Sequence, residues 1–141
     1  MLHLHTLFAW LVLMVMIPSV LFAFAGFYTK RPFTKLQNTF RLLAVIITGV
    51  QLVLGLVIYF TSKVDYLGKF SQMGEVMKNP LERFNTIEHP LTMIIGIIII
   101  HIGSAKIKRA QEQEKNKKAL IFFGIALLII FSRFPWDRLF F

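Results

Sequence analysis

The sequence predicts an all-α fold, an integral membrane four-helix bundle with its N- and C-termini on the non-cytoplasmic side. Three observations lead there. Of the 141 residues 56 % are hydrophobic and the mean hydropathy is +0.66. Only 16 % are charged, against about 25 % in a typical soluble domain. The apolar residues also fall in four blocks, with the basic residues gathered in alternate connections between them. A single transmembrane domain fills the chain, leaving no room for a separate catalytic module. Cysteine is absent, which removes disulfides, thiolate metal sites, iron–sulfur ligation and covalent haem attachment.

The first helix is expected over residues 4–27, without one charged side chain. At about 1.5 Å per residue it exceeds the roughly 30 Å hydrocarbon core. No Lys or Arg precedes the run, and it is too long for the apolar region of a signal peptide. Pro18 is expected to kink it, with Ser19 helping to satisfy the freed backbone. The second helix is expected over 42–61. The third, over 87–107, starts near Glu88-His89-Pro90, where proline suits a first helical turn, and Lys106 snorkels at its other end. The fourth, over 119–134, continues into Arg133-Phe134-Pro135-Trp136, an aromatic and arginine terminus suited to the headgroup level.

Charge sets the orientation. Residues 28–41 carry Lys30, Arg31, Lys35 and Arg41 with no acid. Around 108–118, Lys106, Lys108, Arg109, Lys115, Lys117 and Lys118 outnumber Glu112 and Glu114. Between the second and third blocks, Lys63, Lys69, Lys78 and Arg83 are balanced by Asp65, Glu75, Glu82 and Glu88. The two basic loops are therefore read as cytoplasmic, and the loop at 62–86 and both termini as outside. The net charge of +9 is the mark of that sorting and of contact with anionic lipid. It does not indicate nucleic acid, for which no contiguous soluble surface remains. Residues 64–77 are expected to form a short interfacial helix. Residues 106–118 are expected to prolong the third helix, with Glu112 and Glu114 pairing Arg109 and Lys118.

No phosphate loop, dinucleotide fingerprint, nucleophile elbow or HExxH motif occurs. Chemistry is confined to four histidines and a few polar groups. The charge argument brings His3, His5 and His89 to one depth at the outer end, although they are far apart in sequence. Neutral imidazole is a good ligand for haem iron, copper or zinc. His5 and His89, one from each of two helices, are the expected axial ligands of a b-type haem. Glu88 is the candidate outer-shell acceptor for an imidazole nitrogen. The plainer alternative is that these histidines cap helices or meet headgroups.

His101 lies within the third block, where a titratable group tends to face the bundle interior; a hydrogen bond to Gln51 or Thr48 is its expected role. His89 and His101 are separated by about 18 Å along a helix and cannot share one iron. Thr48, Gln51 and Gly55 form one stripe, Gly96 and Gly103 another. Such small residues let helices approach closely; the gaps beside Gly55 and Gly96 are also candidates to admit a haem or quinone ring.

Taken together, Leu2-His3-Leu4-His5 with Trp10, the run Gln51-Leu52-Val53-Leu54-Gly55-Leu56, Glu88-His89, Gly103-Ser104-Ala105-Lys106 and Arg133-Phe134-Pro135-Trp136 resemble a family of small four-helix bacterial membrane proteins labelled cytochrome b-like. The resemblance covers nearly the whole chain. It implies haem b, electron transfer and location in the bacterial cytoplasmic (inner) membrane. The family pattern places a histidine before the Gln-Leu of the second helix, where this chain has Val50. The expectation is an electron carrier and not an independent enzyme. The alternative is a non-catalytic accessory subunit of a larger membrane complex. A metal or proton carrier using His3, His5, Glu88 and His89 ranks behind both, since the fourth helix has almost no polar groups.

Overall fold

The computed structural model describes residues 1–140, with side chains through residue 138. Among these residues every regular element is helical. Four long helices dominate: α1 (Leu2–Thr29), α2 (Lys35–Thr61), α5 (His89–Arg109) and α6 (Glu112–Ser132). Between α2 and α5 lie a 3₁₀ turn at Gly68–Gln72, α3 (Met73–Lys78), α4 (Pro80–Arg83) and a π-turn at Phe84–Glu88. The last two of these, α4 and the π-turn, run on into α5, so that one helix covers Pro80–Arg109. A short α7 (Trp136–Phe140) follows α6.

By length and composition α1, α2 and the Pro80–Arg109 helix suffice to cross a membrane. Helix α6 is as long as α5, but its first two turns hold Glu112, Glu114, Lys115, Lys117 and Lys118, leaving only residues 119–132 apolar. The sequence boundaries need correction at both basic connections. Helix α2 starts at Lys35, not near 42, because Thr34 and Gln37 close a capping box. Thr34 Oγ1 accepts from the Gln37 N–H at 3.1 Å, and Gln37 Oε1 accepts from the Thr34 N–H at 2.9 Å. The expected loop at 28–41 therefore shrinks to residues 30–34, with Lys30 in the left-handed region closing α1.

The expected prolongation through 106–118 does not occur either. Helix α5 stops at Arg109, Ala110 and Gln111 are extended, and α6 begins at Glu112. Each side of this break suits its helix dipole, with Lys106, Lys108 and Arg109 at a C-terminus and Glu112 and Glu114 at an N-terminus. Glu112 pairs with Lys115 at 2.8 Å, within its own helix, in place of Arg109 or Lys118. Helix α1 continues unbroken through Pro18, and the Ser19 hydroxyl donates to Val15 O at 2.7 Å.

Helix α1 packs on α2 and α6, and α5 packs on α6 and α2, giving the cyclic order α1, α2, α5, α6. The apolar core comes chiefly from α1 and α6, including Val12, Leu13, Met16, Phe123 and Ile130, with Ile100 of α5. Helix α5 meets α6 at two glycines. A Cβ on Gly96 would stand 2.9 Å from Ile130 Cγ1, and one on Gly103 would collide with Phe122 Cβ. Helix α2 contributes differently. Of its four buried residues only Ala44 is apolar, and the others are Gln37, Arg41 and Thr48. At the basic end Gln37 Nε2 donates to Asn116 Oδ1 (2.7 Å), and Asn116 Nδ2 donates to the Arg31 carbonyl (2.8 Å). This bridge ties α2 and α6 to the turn after α1, and Gly26 leaves the room that Asn116 occupies.

Candidate functional site

The end opposite the basic loops gathers the start of α1, the last turns of α2, the start of α5 and the close of α6. His5 and His89 meet there, with ring centroids 6.3 Å apart and planes at 81°. Each imidazole has its own seat. His5 Nε2 lies 3.4 Å from Gln51 Nε2, and a Cβ on Gly55 would stand 3.2 Å from His5 Cε1. Gln51 and Gly55, one turn apart on α2, thus form a polar contact and a gap for the same ring.

His89 is fixed from the other side. Its Nδ1 donates to the Arg133 carbonyl at 3.0 Å, so Nδ1 carries the proton and Nε2 keeps a lone pair. Phe84 stacks on the His89 ring at 5.5 Å between centroids. Glu88 bridges two arginines, Arg83 at 2.7 Å and Arg133 at 3.1 Å. It therefore holds the residue whose carbonyl orients His89, and it does not contact an imidazole as the sequence reading expected. A carboxylate flanked by two guanidiniums satisfies its charge better than one beside a neutral ring.

Local backbone chemistry prepares this arrangement. Pro90 has no N–H to offer the carbonyl of Thr86 one turn earlier. The Tyr59 hydroxyl donates to that carbonyl at 2.9 Å, docking the end of α2 on the π-turn. Single π-turns inside α-helices concentrate at functional sites because they re-aim neighbouring side chains. Tyr59→Phe should destabilise the protein by about 0.6–2 kcal/mol in detergent, read as a lowered Tm. An unchanged Tm would mean that the orphaned carbonyl finds water instead.

Among the described residues three buried side-chain polar atoms lack a partner: His5 Nδ1, Gln51 Oε1 and Thr86 Oγ1. Two belong to the contact just described. With Gln51 Nε2 donating to His5 Nε2, the proton is on His5 Nδ1 and has no acceptor. Turning the amide end for end sets Oε1 against a protonated Nε2 and frees the Nδ1 lone pair. In either state one face of the pair has unused hydrogen-bonding or ligating capacity, which is costly unless something occupies it.

The remaining expected site residues lie elsewhere. His101 is exposed on the outward side of α5 and makes no hydrogen bond to Gln51 or Thr48; Thr48 donates to Ala44 O within its own helix. His3 is exposed and outside the cluster. The gaps proposed for a ring are filled, at Gly55 by His5 and at Gly96 by Ile130. One to two turns from His5, Ala9, Val12 and Leu13 are packed into the core and leave no open slot beside the ring pair. The two imidazoles have the chemistry of axial ligands, but a porphyrin does not fit between these helices as packed. Among the described residues no group of three or more His, Cys, Asp or Glu comes together.

Tyr59, Thr86 and Arg133 belong to the site although sequence reasoning did not assign them to it. Pro90 was the available signal for the first two, since it leaves a carbonyl in need of a donor. Nothing local announces that the Arg133 backbone meets His89. No family model, curated protein or solved structure matches the chain.

Proposed function

We propose that this chain is a four-helix bundle of the bacterial cytoplasmic membrane, with both termini outside, that binds a transition-metal ion between His5 and His89. The pairing of the two rings carries the reading. Two metal–nitrogen bonds of about 2 Å each, extended to the ring centres, span roughly 6 Å, and the centroids are 6.3 Å apart. The His89 Nδ1 bond to Arg133 O is the outer-shell contact that presents the other nitrogen to a metal. The gathering of lysine and arginine at residues 30–41 and 106–118, around the two short connections and the helix ends beside them, supports placing this pair at the outer surface.

The donor set indicates the ion. Both imidazoles are neutral donors, and Glu88 is already committed to Arg83 and Arg133. A divalent ion would keep its full charge in a low-dielectric site, at a large desolvation cost. A monovalent ion that accepts few ligands, Cu(I), fits better, and imidazole suits copper. Met93, one turn beyond His89 and partly buried against the core, offers a thioether on the same helical face.

The test is metal analysis of protein purified from cells supplied with copper, zinc and iron, together with its absorption spectrum. Close to one copper per chain is expected, without a Soret band. A co-purifying Soret band would return the haem b reading and show that the helices open to admit a ring. Protein free of metal from replete cells would end the proposal.

One observation favours a second reading, an accessory subunit. His101 faces outward from the apolar span of α5, beside Ile98 and Ile102. An imidazole facing lipid is costly, and a neighbouring subunit's helix would shield it. Mild-detergent purification should then retain a stoichiometric partner that His101→Leu releases.

A further inference from the structure

At the basic end, Arg41 is the one charged side chain among the described residues that is buried, at 6 % exposure. Its Nε donates to Asn38 Oδ1 at 2.9 Å and its Nη1 to Ser104 Oγ at 2.7 Å. Both partners are neutral, and none of the ion pairs among the described residues includes Arg41. The second terminal nitrogen, Nη2, makes no hydrogen bond within the protein. Asn38 and Ser104 fix the direction of the guanidinium without offsetting its charge. Nη2 is not sealed in the core, so this edge of the guanidinium is open from outside the protein, where an anion can offset its charge.

Position and geometry identify the anion. Arg41 lies six residues into α2, about 9 Å along the helix from Lys35, and Ser104 lies five residues before the end of α5. With the basic connections at the headgroup level, as in the topology proposed above, on which this inference rests, both lie just inside that level. Lys108, one turn past Ser104 on α5, is exposed at the same end. A guanidinium with a free fork edge matches phosphate oxygens, whereas a lysine ammonium acts on them as a point charge. Basic recesses between transmembrane helices on this side of a membrane bind anionic headgroups. We propose that Arg41, held by Asn38 and Ser104, binds the phosphate group of an anionic phospholipid between α2 and α5. The site is independent of the histidine pair at the other end.

Native mass spectrometry of the full chain, after exchange into phosphatidylglycerol or phosphatidylcholine, tests this. The wild type should retain one phosphatidylglycerol per chain at least tenfold better than phosphatidylcholine. Arg41→Gln should abolish that preference, Arg41→Lys should keep part of it, and Lys108→Gln should lower it no more than about twofold. Folding of each variant is checked by helical circular dichroism and gel filtration. If Arg41→Gln does not fold, Ser104→Ala serves, since it leaves the charge but loosens its direction; retention should fall several-fold. Equal retention of both lipids, or undiminished retention in a folded Arg41→Gln or in Ser104→Ala, overturns the proposal. Thermal stabilisation by inorganic phosphate in detergent, with no lipid retained, would instead identify a soluble phosphate ligand and overturn the lipid assignment.

Discussion

Replacing His89 with alanine should abolish metal binding by the purified protein, and His5→Ala should do the same. Each change removes one of only two imidazoles at the site, and among the described residues no third His, Asp, Glu or Cys joins them. Graded effects separate the ligands from their supports. Glu88→Gln leaves both rings but weakens the clamp on Arg133, whose carbonyl orients His89. Loss of such an outer-shell contact lowers metal affinity by about 10–100-fold. Gly55→Ala introduces a methyl group 3.2 Å from His5 Cε1 and should displace that ring, with a partial loss. His3→Ala and His101→Ala should bind like the wild type, because both side chains are exposed away from the pair. Competition against a coloured Cu(I) chelator ranks the six variants against the wild type in one experiment. Wild-type affinity in His89→Ala would remove the site.

The second large effect concerns stability. A Cβ at Gly103 meets Phe122 Cβ, an atom too near its own backbone to swing aside, so α5 and α6 must separate. Gly103→Ala should therefore destabilise by about 1–3 kcal/mol, the usual range for overpacking, with a clear fall in Tm in detergent. Gly49→Ala and Gly124→Ala are the matched controls. Nothing lies within 4 Å of an added Cβ at either position. The better helix propensity of alanine should leave these variants neutral or more stable by up to about 1 kcal/mol. Equal losses at all three glycines would show that the α5–α6 seam is not close-packed in solution.

These glycines also mark how far the sequence can be read. Gly96 and Gly103 were legible as a packing stripe, because small residues at helical spacing have few other uses within an apolar span. Gly55 was legible as a gap but not as a seat for His5, since its occupant comes from a distant part of the chain. The meeting of His5 and His89 at one end follows from helix lengths and the alternation of basic loops. The partners of Glu88 do not follow, because Arg133 is 45 residues away and only the packed end of α6 brings it near. The capping box at Thr34 and the dipole-matched break at Ala110-Gln111 were written locally. Reading by apolar blocks passed over both, because cap and dipole effects act on individual residues and leave no mark on an average hydropathy.

Sequence by itself determined that the chain is helical, that three of its expected helices are apolar and long enough to cross a membrane, and which helix ends lie together. Those properties depend on length, hydropathy and charge, all additive along the chain. Tertiary structure alone decided how each helix is rotated about its axis. It turned His101 outward, Arg41 inward and Glu88 toward two arginines. In a helix apolar on every side, hydrophobicity favours no face, so rotation is set by close contacts such as Gly103 on Phe122 and His5 beside Gly55.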